Sequence, residues 1–440
     1  MISIFIPDNN IPERKYIIKC ILSDFLGLQY VIIPKKDHQH YLICYNEKEL
    51  IIRDVFFGLF PKPLSYLNYD ALPKLIKYGR FDLLTGFNIP IIYGDEEFLI
   101  SENRITCGLD IFASAYFMLT RWEEYVVRER DKHLRFIGSN SIAFKSGFLN
   151  RPVVNEYVEL LWELFQKMGY KGKRMNRTFE LILTHDIDHL DYPQTVKIIL
   201  GDILKRKSLV TACNNLNYYI GSGLNPYDTF DFLMTNSEQI GLKSHFYFMS
   251  SNTQMAQDPK FYLSSFRFKS KIKEIKERGH IIGFHPGYYT FDDLDEWSIE
   301  KRALETATNT MITEGRQHYL RFIMPDTFRI WDMNNMDIDS SLGYNDYEGF
   351  RCGTGDIFHV FDFIKREELN IQERPLIIMD STMRHYRKYN HAENLAVFNN
   401  FISVGKKYKT KITLLFHNSS FYGEWEGYKS LYSEVLSISR

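Results

Sequence analysis

Short apolar runs alternate with helix-like segments along the chain from residue 179 onward. The runs read FELILTHD, LKSHFYFMS, HIIGFHP, RFIMP, PLIIMDST and KITLLFHN. Segments with helical spacing at 269–278, 298–314 and 391–408 lie between most of them. Alternating strands and helices predict a parallel sheet, and this many units over about 260 residues is typical of a (β/α) barrel.

The first 150 residues have a different sequence pattern, in which short apolar runs alternate with turns rich in Pro, Gly and Asn. This pattern predicts a smaller α/β domain over 1–150. Within it, the stretch DIFASAYFMLTRWEEY has helical spacing and begins with Asp110, a favourable N-cap residue. Glu123 and Glu124 are predicted to be solvated charges at the end of that helix rather than a site.

A second helix is predicted over 152–168, with Pro152 in its first turn and Gly169 at its end. The polar, basic stretch KGKRMNRT follows it and predicts a solvated linker. Helix and linker together form a predicted connection over 151–177. The barrel domain is then predicted to occupy 178–440.

The charge balance and the cysteines limit the partners and the compartment. Lys plus Arg number 54 and Asp plus Glu number 55 in 440 residues, so no net field attracts nucleic acid or an anionic membrane. No stretch approaches the roughly 18 apolar residues of a transmembrane segment, and the opening MISIFIP reads as a strand rather than a leader. The five cysteines are scattered without a CxxC pair, which predicts a reducing, cytoplasmic compartment.

Side chains that can bind metal ions or protons stand at the ends of several predicted strands. The C-terminal ends of parallel strands are where α/β folds build active sites. Two Asp residues two positions apart face the same side of an extended segment, so one can bind a cation while the other takes a proton; an Asx-rich turn is the alternative. Each residue alone is weak evidence, but their coincidence favours a catalytic site. The residues are Asp186, Asp188, His245, His285, Asp380 and His417.

Glycine patterns of other enzyme classes do not occur in the sequence. There is no GxSxG elbow, which disfavours a nucleophilic serine. Neither the Rossmann nor the P-loop pattern is present, which disfavours a nucleotide site of those kinds.

The phrases THDID, GFHPGYY, LRFIMP, GFRCGT and LLFH occur in the order expected of the polysaccharide deacetylase (NodB-homology) family, which this chain resembles over 178–440. The N-terminal phrase DIFASAYFMLTRWEEY is similar to one in a branch found with surface-polysaccharide genes, such as those for capsule or lipopolysaccharide. The resemblance implies a distorted (β/α) barrel with a smaller N-terminal α/β domain. It also implies metal-dependent hydrolysis of an N-acetyl or O-acetyl group on a sugar.

The resemblance implies roles for the acidic and histidine residues. Asp186 matches the general base and Asp188 a ligand of a divalent metal ion, with zinc the expected ion. His285 matches the first His of an HxxxH motif, but Tyr289 stands where the second His is expected. A phenol is a poor ligand because its unperturbed pKa is about 10. Tyr289 orienting a water, or His245 completing the metal shell, are the alternatives, and packing against the barrel wall is a further one for His245.

The family also has an Arg that pairs with the base. Arg321 is the closest match, Arg351 is a second candidate, and ordinary surface ion pairs are the alternative for both. Trp331 is a candidate to cover the acetyl pocket, with core packing as the alternative.

The last family motif implies that His417 acts as general acid and that Leu415 shapes the acetyl pocket. Asp380 is a candidate to hold His417 in its working tautomer, with a strand-end turn as the alternative.

Three functions are consistent with these residues. The first is a metal-dependent deacetylase acting on an N-acetylated sugar that is nucleotide-, lipid- or polymer-linked. The second is a hydrolase of a non-sugar amide, such as a formamide or cyclic ureide. The third is a catalytically lapsed module that binds a glycan or protein partner. Asp186 and His417 favour an enzyme, because a pure binding module has no chemical need for either.

Overall fold

The structure is a computed structural model that describes residues 1–81, 88–193, 199, 204, 209–251, 258 and 261–439. Its strands, in chain order, are β1 (Ile2–Pro7), β2 (Tyr30–Lys35), β3 (Tyr41–Tyr45), β4 (Lys48–Ile52), β5 (Lys77–Gly79), β6 (Ile89–Ile91), β7 (Gly94–Ile100), β8 (Arg104–Leu109), β9 (Glu180–Ile187), β10 (Ser244–Phe248), β11 (Ile281–Phe284), β12 (Glu314–Gly315), β13 (Ile338–Asp339), β14 (Phe358–Asp362), β15 (Glu367–Glu373), β16 (Leu376–Met379) and β17 (Lys411–Leu415).

The α-helices are α1 (Ile11–Ile18), α2 (Phe56–Leu59), α3 (Ile111–Thr120), α4 (Trp122–Val126), α5 (Ile142–Lys145), α6 (Val153–Lys167), α7 (Leu209–Tyr219), α8 (Phe230–Gln239), α9 (Phe266–Glu277), α10 (Leu294–Thr308), α11 (Asp326–Met333), α12 (His391–Tyr408) and α13 (Tyr428–Ile438). Two π-helical segments span Lys19–Phe25 and Thr382–Arg387, and 3-10 turns span Tyr69–Ala71, Gly138–Asn140, Thr290–Asp292, His318–Leu320 and Gly423–Trp425. Within the described ranges, no helix is long and apolar enough to cross a membrane.

The chain divides into two compact units, each built from separate stretches of sequence. Unit 1 comprises Met1–Glu180, Leu320–Ile377 and Ser403–Ile412. Unit 2 comprises Leu181–Tyr319, Ile378–Ile402 and Thr413–Arg440.

Unit 1 contains a six-stranded sheet in the order β2-β1-β3-β4-β8-β7. Its pairing is mixed, since β1 is parallel to β2 and antiparallel to β3. Helix α3 follows the sheet and begins where Asp110 Oδ1 accepts a hydrogen bond from Ala113 N at 3.1 Å, so the predicted N-cap is confirmed. All ten residues of α3 are buried, which identifies it as a core helix.

Unit 2 contains the parallel strands β9, β10, β11 and β12, which are neighbours in that order. Asp186 of β9 is in register with Tyr247 of β10, which in turn is in register with Gly283 of β11. Residues 181–187 of β9 are all buried, as expected of a parallel strand covered on both faces. The C-terminal ends of these strands therefore meet along one edge.

Two glycines allow the close approach of β11 and β12. A Cβ atom at Gly283 would lie 2.7 Å from the Glu314 carbonyl oxygen. A Cβ at Gly315 would overlap the Phe284 carbonyl oxygen. Any other residue would push the strands apart, so these positions determine where the residues just after β12 are placed.

The predicted mixed α/β class is confirmed, and so are the helices predicted over 152–168 and 391–408, as α6 and α12. The strand predicted over RFIMP is wrong: residues 321–325 are coil and turn, and the strand is the two-residue β12 instead. Tyr319 and Leu320 have φ values of 59° and 55°, which interrupt any extended run entering that segment. Closure of the strands into a barrel, and a separate domain over 1–150, stay predictions.

Candidate functional site

Three side chains that can bind a metal ion meet at the C-terminal ends of neighbouring strands in unit 2. Asp188 follows β9, His285 follows β11 and His318 follows β12. One ligand atom from each lies within 4.8 Å of the other two. His285 Nε2 is 3.2 Å and His318 Nε2 3.9 Å from Asp188 Oδ1. We call these three residues the ligand cluster.

The protons on the two imidazoles can be assigned from their other contacts. His285 Nδ1 is 2.7 Å from the carbonyl oxygen of Arg316, which can only accept, so Nδ1 carries the hydrogen. His318 Nδ1 is 2.9 Å from a carboxylate oxygen of Asp258 and donates in the same way. In the neutral rings both Nε2 atoms therefore hold lone pairs, and these face Asp188.

The ligand cluster is suited to a cation because a carboxylate oxygen of Asp188 faces the Nε2 atoms of His285 and His318, which in the neutral rings are also hydrogen-bond acceptors. Asp188 Oδ1 is inaccessible to solvent and has no hydrogen-bond donor among the described residues. Its 3.2 Å contact with His285 Nε2 does not have hydrogen-bond geometry. One carboxylate and two imidazoles are a donor set that suits zinc and related divalent ions.

The electrostatics of the ligand cluster also favour positive charge. Burial opposes ionisation of Asp188, but His285, His417 and His318 together hold the pKa of its carboxyl well below the usual range. Burial lowers the pKa of His285, and the nearby Asp186 and Asp188 more than reverse that effect.

Asp186, on β9 beside the ligand cluster, is paired with an arginine. Arg316 Nη1 donates to Asp186 Oδ1 at 2.8 Å and to Thr184 Oγ1 at 2.9 Å. The guanidinium is fully buried and lies 5.2 Å from the centre of the Tyr247 ring. Asp186 Oδ2 is 3.8 Å from His285 Nε2. The arginine therefore fixes the orientation of the Asp186 carboxylate.

His417, which follows β17, is held by a second carboxylate. Its Nδ1 is 2.8 Å from Asp380 Oδ1, and its backbone N–H donates to Asp380 Oδ2 at 2.8 Å. Burial lowers the pKa of His417, but Asp380, Asp188 and Asp186 raise it to about 10 overall. Its Nε2 lies 3.8 Å from Asp188 Oδ2. His417 is therefore a cationic ring whose second proton is directed towards the ligand cluster.

A cleft of about 340 Å³ opens beside Asp188 and His417. Aromatic and hydroxyl side chains form most of its wall: Tyr192, Tyr227, Tyr422, Trp425, Thr211, Ser381, Ser419 and Ser420. Aromatic faces and hydroxyls together suit a ring-shaped polar ligand such as a sugar.

The arginine predictions are corrected by the structure. Arg316, rather than Arg321, is the arginine whose contact with Asp186 the structure records. Arg321 lies in unit 1, where its Nε donates to the carbonyl oxygen of His133 at 2.9 Å.

Arg351 and Trp331 also lie in unit 1. Arg351 forms a buried ion pair with Glu124, with Nε 2.8 Å from Glu124 Oε1. The recorded partner of Arg351 is thus Glu124 and not Asp186, and the pair is buried, unlike the surface ion pair expected as the alternative. Trp331 is fully buried in α11, as expected for core packing rather than for a surface over a pocket.

His245 and Tyr289 do not lie where their predicted roles require. His245 Nδ1 is 2.5 Å from Glu314 Oε1 near the start of β10, away from the C-terminal strand ends. Tyr289 is 46% exposed, and its ring contacts Tyr288 at 4.9 Å. The third potential ligand is His318 instead. Leu415 is buried at the end of β17, two residues before His417, and its role in an acetyl pocket stays a prediction.

His318, Arg316 and Asp258 were not predicted from the sequence. Arg316 and His318 follow a two-residue strand, which is too short to produce a periodic pattern. The polar run ERGH before β11 and the run EGRQH around β12 are alike in composition. Only the second one lies at a C-terminal strand end, so composition gave no signal that could separate them.

Comparisons with known proteins give a partial match and remote similarities. Residues 2–170 match the family of unknown function DUF7033, and no curated protein matches the sequence. The chain is similar to a structure described as a polysaccharide deacetylase from Mycobacterium smegmatis, at 13% identity and a TM-score of 0.39, covering 60% of this chain and 86% of that chain.

Two other solved structures are similar at the same remote level. One is the chitin deacetylase of the fungal pathogen Colletotrichum lindemuthianum (14% identity, 60% of this chain, 84% of that chain, TM-score 0.30). The other is a CE4 family pseudoenzyme from Bacillus anthracis (9% identity, 64% of this chain, 77% of that chain, TM-score 0.29). Similarities this remote assign no activity to the chain, so its function has to be inferred from the site.

Proposed function

We propose that the chain is a metal-dependent hydrolase that removes an N-acetyl or O-acetyl group from a sugar. The observation that carries the proposal is the convergence of three lone pairs, on Asp188, His285 and His318, with no donor between them. The carboxylate of Asp186, paired with Arg316, and the imidazole of His417, paired with Asp380, flank this point. Metal-dependent acyl hydrolysis uses a cation site, a base and an acid.

Asp188, His285 and His318 would hold a divalent ion, for which zinc is the expected identity. When bound, such an ion polarises an acyl carbonyl and makes water more acidic. Asp186 is the base that removes the proton of the attacking water, since Arg316 orients its carboxylate beside the ligand cluster. His417 donates a proton from Nε2 to the departing amine or alcohol.

The substrate is proposed to be an N-acetylated sugar carried on a nucleotide, a lipid or a polymer in surface-polysaccharide biosynthesis. The aromatic and hydroxyl lining of the cleft beside His417 supports a sugar ring. A cytoplasmic location is proposed on the scattered cysteines alone.

The test combines metal analysis with acetate release from free, nucleotide-linked and lipid-linked N-acetylhexosamines. Asp186→Asn is expected to lower acetate release by about 10²- to 10⁴-fold, the usual contribution of a general base. Its fold is checked by circular dichroism, because Arg316 loses its partner. Asp231→Asn is the matched control, since Asp231 is an exposed carboxylate of the same unit paired with Arg278.

A metal-free protein whose Asp186→Asn variant keeps full activity would contradict the proposal. Formate release or ring opening of a cyclic ureide, without acetate release, would indicate the non-sugar amide hydrolase. Glycan binding that survives both metal removal and Asp186→Asn, without turnover, would indicate the lapsed module.

A further inference from the structure

Asp258 is a buried carboxylate that connects two of the segments around the ligand cluster. It is 4% exposed. Its Oδ1 accepts from His318 Nδ1 at 2.9 Å, and its two oxygens lie 2.9 Å and 3.0 Å from the backbone nitrogen of Tyr288. One carboxylate thus contacts both a ligand ring and the loop that follows His285.

That loop explains why the residue four positions after His285 is not a ligand. Successive backbone N–H groups in it are held by carboxylates: Gly287 donates to Glu300 Oε2 at 2.7 Å and Tyr288 donates to Asp258. The residues directly after β11 are not helical, so positions i and i+4 do not share a face there. Tyr289 points to solvent instead, and the third ligand has to come from another strand.

We propose that Asp258 is the positioning residue that makes His318 a metal ligand, an inference that rests on the proposed metal site. By accepting the Nδ1 hydrogen, Asp258 selects the tautomer with a free Nε2 lone pair. The other tautomer would point an N–H at Asp188 and exclude a cation. The same contact orients the ring, as outer carboxylates do for metal-bound imidazoles.

The tautomer can be measured on the metal-free protein by ¹⁵N NMR of the His318 ring. The wild type is expected to show a protonated Nδ1. Asp258→Ala is expected to give a mixture of tautomers. Asp258→Asn is expected to keep the wild-type tautomer, because the amide oxygen can still accept from His318 and from Tyr288.

Metal affinity is measured in parallel by titration with Co²⁺, followed by its visible absorption. Asp258→Ala is expected to weaken Co²⁺ binding by about 10- to 100-fold, and Asp258→Asn by less. Glu300→Gln is the matched control, since Glu300 holds the neighbouring Gly287 N–H but contacts neither ligand ring. Its Co²⁺ affinity and His318 tautomer are expected to stay at wild-type values.

The proposal would be overturned if Asp258→Ala left both the His318 tautomer and the Co²⁺ affinity unchanged. It would also be overturned if Asp258→Ala and Glu300→Gln lost Co²⁺ affinity to the same extent. If Asp258→Ala does not fold, the NMR spectrum of the wild type still tests the proposal. A His318 ring protonated at Nε2 in the wild type would overturn it. Failure of the wild type to bind Co²⁺, with an Asp258-dependent tautomer, would overturn the metal-dependent function and support the positioning role. The two failures are therefore distinguishable.

Discussion

Each unit contains a cluster of largely buried charged side chains, and the two clusters are built in opposite ways. In unit 1 the ion-pair cluster consists of Arg121, Glu123, Glu124 and Arg351. Arg121 contacts Glu123 at 2.8 Å and Glu124 at 2.9 Å, and Arg351 contacts the same Glu124. In the ion-pair cluster the chain itself supplies both the positive and the negative groups.

In the ligand cluster of unit 2 the chain supplies one carboxylate and two imidazoles, and no arginine. Two Nε2 lone pairs face the Asp188 carboxylate, and Asp188 Oδ1 receives no donor from the described residues. Burial of charge is costly unless a partner is present. The ion-pair cluster is thus complete in the folded chain, whereas the ligand cluster would be completed by the proposed cation.

The largest effect is expected from breaking the ion-pair cluster. Glu124→Gln leaves Arg121 and Arg351 without their shared carboxylate and should lower the free energy of unfolding by about 3–5 kcal/mol. Chemical denaturation with and without a chelator measures it, and the loss should be the same in both. Lys273→Ala, which breaks the exposed Lys273–Glu277 pair, is the control and should cost less than about 1 kcal/mol.

A chelator-dependent loss in Glu124→Gln would contradict the distinction between the two clusters. So would a loss no greater than that in Lys273→Ala.

The second-largest effect is expected from a substitution in the ligand cluster, and it concerns stabilisation of the fold by metal. Asp188→Asn should destabilise the metal-free protein much less than Glu124→Gln does, because the amide can donate to an imidazole Nε2. It should abolish stabilisation by metal, which for the wild type is about 2.7 kcal/mol at a free metal concentration of 100 times Kd. Thermal unfolding in chelator and in Zn²⁺ measures both quantities.

Asp191→Asn is the matched control for the ligand cluster. Asp191 lies three residues further along and forms an ion pair with Arg267. Destabilisation of metal-free Asp188→Asn comparable to that of Glu124→Gln would show that the ligand cluster is a structural network like the one in unit 1.

The smallest effect is the pH dependence of the ion-pair cluster. Burial raises the pKa of Glu124, but Arg351 and Arg121 lower it to about 2, against 4.5 for an unperturbed Glu. Because the pKa is depressed on folding, its contribution to stability is present above pH 4.5 and is lost as the pH falls towards 2. The difference in unfolding free energy between wild type and Glu124→Gln should shrink by about 1 kcal/mol per pH unit near pH 4. If the difference in unfolding free energy between wild type and Glu124→Gln stayed constant from pH 6 to pH 4, the depressed pKa of Glu124 could not be its cause.

Much of the framework was predictable from the sequence. The α/β class followed from alternating periodicities, and α6 and α12 were located from their apolar stripes. Asp186, Asp188, His285 and His417 were selected because each stands at the end of a recognisable strand. All four residues lie in unit 2, and their catalytic roles stay proposals.

Other predictions failed where the deciding contact is distant in sequence. Glu123 and Glu124 were predicted to be solvated, yet they are 1% and 2% exposed. Besides the neighbouring Arg121, Glu124 pairs in the core with Arg351, which is 227 positions away. No local pattern contains that information.

By itself, the sequence determined the α/β class, helices α6 and α12, and the strand-end positions of Asp186, Asp188, His285 and His417, because periodicity and strand ends are local properties. Tertiary structure alone decided that Arg316 pairs with Asp186, that His318 and not Tyr289 faces Asp188, and that Asp258 orients His318. Those contacts depend on the close approach of β11 and β12 and on the non-helical loop after His285. Both arise from packing between segments far apart in the chain, which no single stretch of sequence encodes.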